Sequence, residues 1–480
     1  MRKTKIVATL GPALDNREKL VAALEAGIDV VRLNFSHGDH DTHARRLRDV
    51  RELSTRLERN IGVLADLQGP KIRLGVLPDE GVELIDGQEV ALMPGVEQLD
   101  DYTSDGQTAL PVVYEALGED CEPGAMILID DGSIRLVVSK ASRDEVIARV
   151  VAGNTAKSRK GVNLPGVRVS APSLTEKDEE DLKVAVDLGC DWLALSFVRR
   201  AEDIQHAREL VRHHGGEAPL VAKLERPEAI DNLEAIVSAT DAVMVARGDL
   251  GVEIGPERVP AIQKQIIAEA NLHAKPVVTA TEMLDSMITS PRPTRAEASD
   301  IANAIFDGTD AVMLSGETAA GAYPVEAVRT MARICEVAET STHLVGPIKH
   351  GHAEPDDIGN TVARAAVQVA ADVEARALAV YSISGASIQL VSKFRPATRL
   401  VGMTPEENAR RRTALMWGTE ALLVPMKAAT RDLISSAERV LVDGGFASHG
   451  DRVVIVSGTA GSSGGTNRIY VHRIGAPLAP

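Results

Sequence analysis

Short apolar runs alternate with longer amphipathic stretches along most of the 480-residue chain. Lys5–Leu10 reads as a strand closed by Gly11-Pro12, and Arg17–Ala26 as a helix stopped at Gly27. Val30–Leu33, a charged helix over His40–Glu58 and a strand over Gly62–Asp66 continue a β-α-β-α-β rhythm, which predicts a parallel sheet covered by helices. The rhythm breaks after Gln68–Arg73. From about Gly75 to Val169 come short alternating runs (Val82–Ile85, Glu89–Met93, Met126–Ile129, Ile134–Val138, Val146–Val151) divided by Gly, Asp and Pro turns, the pattern of a small inserted antiparallel β domain. Strand patterns return at Trp192–Phe197, Leu220–Leu224, Ala242–Ala246, Pro276–Ala280 and Ala311–Leu314. With the first three they make eight, which predicts a (β/α)₈ barrel with its active site at the C-terminal strand ends. Beyond a Gly/His/Asp-rich linker at Pro347–Asp357, alternating helices and strands predict a separate open α/β domain. The expected division is residues 1–70 and 171–345 for the barrel, 71–170 for an inserted β-barrel lid and 346–480 for the C-terminal domain.

Composition narrows the class. Apolar content of 44% and charged content of 25% suit a globular protein, while aromatics at 2% leave the core to Val, Leu, Ile and Ala. The net charge of −16 argues against a nucleic-acid surface but does not forbid a local cationic site for anionic substrates. Cys121, Cys190 and Cys335 lie far apart, without metal-ligand spacing, and read as free thiols of a reducing cytosol. No apolar run approaches a membrane span, and the N-terminus reads as a first strand rather than a signal peptide. A cytoplasmic protein without membrane or nucleic-acid partners is expected.

The polar residues that interrupt the apolar pattern collect at the predicted strand ends: Arg32, Asn34, Asp66, Lys223, Glu225, Asp249, Thr281 and Glu317. Lys223 and Glu225 are two apart, so on a strand they leave the same face. One ammonium with the Glu225 and Asp249 carboxylates could hold a divalent metal and an anion together; a structural salt bridge is the alternative. Arg32-Leu33-Asn34-Phe35-Ser36-His37-Gly38 adds a guanidinium suited to phosphate. Asp66 with the Asn34 and Ser36 oxygens could line a hard-cation site. Gly69–Arg73 contributes Lys71 and Arg73, and Lys160–Gly166 lies where the insert returns, with glycines able to act as a hinge. Thr281 ends the seventh strand, and Pro291–Glu297 reads as a rigid charged loop.

These motifs, together with Met244–Glu253, Thr281–Met287, Pro291–Asp300 and Leu314–Thr318, stand in the order and spacing of the pyruvate kinases, which the chain resembles along almost its whole length. The resemblance implies a barrel with a β lid and a regulatory α/β domain, and phosphoryl transfer from phosphoenolpyruvate to ADP. It implies Mg²⁺ (or Mn²⁺) on Glu225 and Asp249, with Lys223 stabilising the transferring phosphoryl. Arg32 and Arg73 would hold phosphate oxygens, Gly248 and Asp249 the substrate carboxylate, and Thr281 the protonation site. Asn34, Ser36, His37, Arg73 and Lys160 would face the nucleotide. The family is usually tetrameric, so a homotetramer is expected.

One departure stands out. Many members hold K⁺ through the counterparts of Asn34, Ser36, Asp66 and the Leu67 carbonyl, and carry Thr-Lys after the Asp and Glu before Ile-Arg. Here those positions are Leu67, Gln68 and Lys71, similar to the K⁺-independent branch, with Lys71 as an internal cation that neutralises the same carboxylate and phosphate charges. In the C-terminal domain, Ser382, Ser384, Gly385 and Ser387 join a strand to a helix, where hydroxyls and N–H groups favour phosphate. By resemblance this loop, with the Gly-rich segment Ser457–Asn467, would take a phosphorylated effector such as AMP or a sugar phosphate. Two other readings remain at this point: a Mg²⁺-dependent barrel lyase acting on pyruvate or phosphoenolpyruvate, and a catalytically silent metabolite sensor.

Overall fold

The computed structural model describes residues 2–104, 106–341, 357–425, 427, 429–458 and 465–477. All but the last residue of the expected linker at 347–357, and most of the late Gly-rich loop, lie outside the described residues. Eight parallel strands close into a barrel: Lys5–Thr9, Val30–Asn34, Gly62–Asp66, Trp192–Leu195, Leu220–Leu224, Ala242–Ala246, Val277–Ala280 and Ala311–Leu314. Their outward side chains, such as Ile6, Val31, Val63 and Ala222, pack with helix residues such as Leu24, Val50, Ile266 and Met331 in one large core. Alternate side chains point inward, where Val7, Val30, Leu64, Val221 and Met244 fill the interior together with Ala414 and Leu415 from the C-terminal region. The barrel floor is therefore sealed by the next domain.

The insert between the third and fourth strands has its own core, which includes Leu92, Leu110, Ile127, Leu136, Ala148 and Val150. Its main sheet has seven strands, and it is not purely antiparallel as the alternation predicted, because Glu89–Pro94 and Gln107–Val112 pair in parallel. The hydrogen-bonded order runs from Val162–Asn163 to Thr103–Ser104, and the sheet curls: Arg73 bridges to Gly161 and Leu74 to Val112, so residues 72–75 link the Val162–Asn163 and Gln107–Val112 strands. Strand Val162–Asn163 carries the chain back toward the barrel.

The last region is a five-stranded sheet in the order Thr419–Leu423, Arg399–Thr404, Ala377–Tyr381, Arg452–Gly458, Thr466–Arg473, parallel except for the final edge strand. Apolar clusters cover both faces. Pro291–Glu297, expected as a loop, is partly helix. Thr294 caps Arg295–Asp307 through a reciprocal pair in which Glu297 N donates to the Thr294 hydroxyl and Glu297 accepts from Thr294 N.

Candidate active site

Strand alternation delivers the central cluster. Val30 and Arg32, Leu64 and Asp66, and Val221 and Lys223 each share a face, so a layer of charges sits directly above the apolar barrel interior. Arg32 Nε donates to Asp66 Oδ2 at 2.6 Å, and its Nη1 donates to the Thr9 hydroxyl at 3.0 Å. The Lys223 ammonium lies 2.9 Å from Glu225 Oε1 and 3.3 Å from Asp66 Oδ1, and donates to the Ser196 hydroxyl at 2.7 Å. Ser196 Oγ in turn donates to the Leu67 carbonyl. Asp66 and Glu225 are each only 1% exposed.

Electrostatics follow from this burial. For Lys223, desolvation pulls the pKa down, but Asp66 and Glu225 push it up by more, so the ammonium is held charged. For Asp66, desolvation acts upward and is outweighed by Arg32 and Lys223, which keep the carboxylate ionised. Glu225 moves the other way: desolvation raises it, Lys223 opposes, and the nearby Asp249 charge raises it further. The His37 imidazole is pushed down by desolvation and by Arg73, Arg32 and Lys71.

Asp249 sits in the first turn of the helix Arg247–Ile254, which starts as the sixth strand ends. Its Oδ1 is 3.1 Å from the Lys71 ammonium. The structure thus corrects the placement of Lys71, which was expected to neutralise Asp66. Arg32 and Lys223 already occupy that carboxylate, and Lys71, entering from the lid side, meets the Asp249 carboxylate.

The donor set suits a hard divalent cation. Glu225 Oε1 is buried without a hydrogen bond and meets only the ion-pair contact of Lys223. The mutual repulsion of Glu225 and Asp249 marks a place where extra positive charge would be favourable. Among the described residues no three His, Cys, Asp or Glu groups form a complete cage. A cation held by these two carboxylates would therefore draw its other ligands from substrate oxygens and water, as Mg²⁺ characteristically does.

The remaining predicted residues are distributed around this centre. Asn34 Oδ1 accepts from Ser36 N, shaping the turn, and the His37 carbonyl contacts His43 Nε2 at 3.0 Å. Arg73 Nη1 donates to the Arg159 carbonyl in the lid, and Lys160 pairs with Asp130, also in the lid, rather than reaching over the barrel mouth. Gly248 lies against Thr281: a Cβ there would come 2.9 Å from Thr281 Cγ2. Thr281 itself has φ +73°, an uncommon conformation for a β-branched residue, with a cost of about 1–3 kcal/mol. Glu317 is not part of the cluster. Its carboxylate accepts from Leu284 N and Ser315 N, which makes it a buried tie between two loops. In the C-terminal loop, Ser382 Oγ accepts from Gly385 N at 3.0 Å and Ser387 N at 3.3 Å, so this hydroxyl already serves the loop's own backbone, while Ser387 Oγ meets Thr466 Oγ1 on the edge strand.

Sequence reasoning passed over Ser196, the lysine's third partner, and Phe197, whose N–H donates to Glu225 Oε2 at 2.8 Å. Both fell inside the strand expected at Trp192–Phe197; the structure ends that strand at Leu195, which leaves Ser196 and Phe197 just beyond its C-terminal end.

Comparison with known proteins agrees with this geometry. The family described as "Pyruvate kinase, barrel domain" matches residues 1–328, and "Pyruvate kinase, alpha/beta domain" matches 360–472. A pyruvate kinase of Mycobacterium intracellulare is 46% identical over 476 residues, covering 99% of each chain. One from Geobacillus stearothermophilus is 44% identical over 488 residues, covering all of this chain and 81% of the relative. A crystal structure of a pyruvate kinase from Cryptosporidium parvum superposes with a TM-score of 0.88 at 34% identity, covering 98% of this chain and 96% of that one. The chain belongs to the pyruvate kinase family, glycolytic enzymes that use a divalent cation such as Mg²⁺ to transfer the phosphoryl group of phosphoenolpyruvate to ADP.

Proposed function

We propose that the barrel-mouth cluster carries this reaction through the residues its motifs single out. The observation that supports the assignment is the buried Lys223 ammonium, fixed between Asp66, Glu225 and Ser196. A β-phosphate oxygen of ADP forms a bond to the transferring phosphorus while the bond from phosphorus to the enol oxygen breaks. The leaving electron pair stays on that oxygen. C3 of enolpyruvate then takes a proton, and the carbonyl of pyruvate forms. Arg32 and Arg73 hold phosphoryl oxygens, and Lys223 supplies fixed positive charge where it develops, a task for which preorganised cations need no rearrangement. Gly248 and Asp249 receive the substrate carboxylate, and Thr281 delivers the proton through water. Asn34, Ser36, His37 and Lys160 face the nucleotide when the lid, residues 71–170, closes. Mg²⁺ or Mn²⁺ bound by Glu225 and Asp249 supplies the divalent charge that neutralises substrate oxygens. ADP-dependent pyruvate release coupled to NADH oxidation tests the assignment, and a Lys223→Met variant with wild-type turnover would defeat it.

The same reading makes activity independent of added K⁺. Lys71 brings a permanent positive charge to the barrel mouth, 3.1 Å from Asp249, and by resemblance it replaces the charge that relatives of the other branch recruit as K⁺ at the counterparts of Asn34, Ser36 and Asp66. A hundredfold loss of rate in buffer free of Na⁺ and K⁺, restored by K⁺, would overturn this. Regulation by a phosphorylated metabolite such as AMP or a sugar phosphate is assigned to the Ser382–Ser387 loop of a regulatory domain spanning 346–480. Activation curves of wild type and Ser384→Ala decide it, since identical curves remove the site. The working form is a cytoplasmic homotetramer, with the barrel formed by residues 1–70 and 171–345.

A further inference from the structure

Thr281 and its neighbour Glu282 both have positive φ, +73° and +56°, where the seventh barrel strand has just ended. Left to itself, a Thr-Glu pair would relax toward ordinary backbone values. One side chain opposes this. Arg247, whose side chain is 11% exposed, donates from Nε to the Ala280 carbonyl at 3.1 Å and from Nη2 to the Thr281 carbonyl at 2.6 Å. The same guanidinium is anchored on its other edge by Asp300 Oδ2 at 2.6 Å and Gln263 Oε1 at 3.4 Å, and touches Met283 Sδ. Arg247 also opens the helix that carries Gly248 and Asp249, and Gly248 packs on the Thr281 methyl.

We infer that Arg247 is a positioning residue for the proton-transfer half of the reaction: its guanidinium clamps two successive carbonyls, fixes Thr281 in its left-handed conformation and locks that hydroxyl to the helix bearing Asp249. The clamp requires a planar fork that reaches both carbonyls and a carboxylate at once, which a lysine cannot supply. Arg247 faces Thr281 rather than Lys223, so it acts on protonation of enolpyruvate and not on transfer of phosphorus. This rests on the assignment of Thr281 as the protonation site.

The test separates the two half-reactions in the full chain with Mg²⁺. ATP formation from phosphoenolpyruvate and ADP reports phosphoryl transfer, because enolpyruvate that leaves unprotonated still tautomerises in solution. Exchange of pyruvate methyl hydrogens with D₂O in the presence of ATP, followed by NMR, reports proton transfer. In Arg247→Lys and Arg247→Ala, exchange falls about a hundredfold more than ATP formation, the scale of a misplaced acid–base group. Thr281→Ala shows the same imbalance, and millimolar guanidinium restores the ratio in Arg247→Ala. If Thr281→Ala loses exchange while both Arg247 variants lose the two rates in step, Arg247 is a structural staple and only this inference is overturned. If Thr281→Ala keeps its exchange, the protonation role of Thr281 fails, and the inference fails with it.

Discussion

A charge at the end of a barrel strand is stable only if its neighbours compensate the water it has lost, and Lys223 shows how closely that balance is struck. Desolvation works against its ammonium, while Asp66 and Glu225, both buried, more than restore it. In Lys223→Met the two carboxylates lose that shared partner and the phosphoryl group loses its fixed cation. We expect kcat to fall about 10²–10³-fold, the loss seen for a preorganised charge at a reacting group, as read in the coupled pyruvate assay. The thiols make an opposite case. Burial pushes Cys121 up to about 11 and Cys190 and Cys335 to about 12, so none presents a thiolate near neutral pH. The native protein should leave a thiol-specific disulfide reagent almost uncoloured at pH 8 and release all three equivalents on denaturation; fast native labelling would contradict the burial.

Helices and strands behaved differently as elements to be read from the chain. Strands such as Gly62–Asp66, Leu220–Leu224 and Ala311–Leu314 were legible to the residue, because a strand buried on both sides is written as a mainly apolar run, interrupted here only where Asp66 and Lys223 reach the barrel mouth. Segment 291–297 was not, because its prolines and charges resemble a loop, whereas Thr294 and Glu297 form a reciprocal cap whose partner is the backbone. Glu297 also accepts from Ser286 N and Oγ, tying the cap to the turn after the seventh strand. Thr294→Ala should destabilise the protein by about 1 kcal/mol, measured by denaturant unfolding, with a smaller effect from Thr294→Ser. Equal loss in both variants would place the stabilisation in the methyl group and not in the hydroxyl cap.

At the scale of the molecule, the C-terminal domain closes the barrel floor through charge as well as through Ala414 and Leu415. The Lys393 ammonium lies 2.6 Å from Asp310 Oδ2 with both side chains buried, and Arg395 reaches Asp310 Oδ1 at 3.1 Å. Desolvation dominates Lys393, outweighing Asp310, and lowers its pKa to about 8 from an ordinary 10.5. Between those values the unfolded chain binds more protons at this site than the folded one, so its contribution to stability rises with pH. The stability of wild type relative to Lys393→Met should therefore grow from pH 8 to 10 in thermal unfolding; a difference that stays flat would mean Asp310 keeps the ammonium charged.

The order of elements, the eight-strand count and the positions of Arg32, Asp66, Lys223 and Glu225 were determined by the sequence alone, because strand period and apolar content are local properties written into each segment. Contacts between segments far apart in the chain were decided only by the tertiary structure. Lys71 meets Asp249 instead of Asp66, Glu317 serves as a loop tie, Ser196 supports Lys223, and Arg247 holds Thr281. A pattern along the chain states which face a side chain leaves by. Which of several equally suitable charges it meets depends on distances that exist only once the barrel has closed.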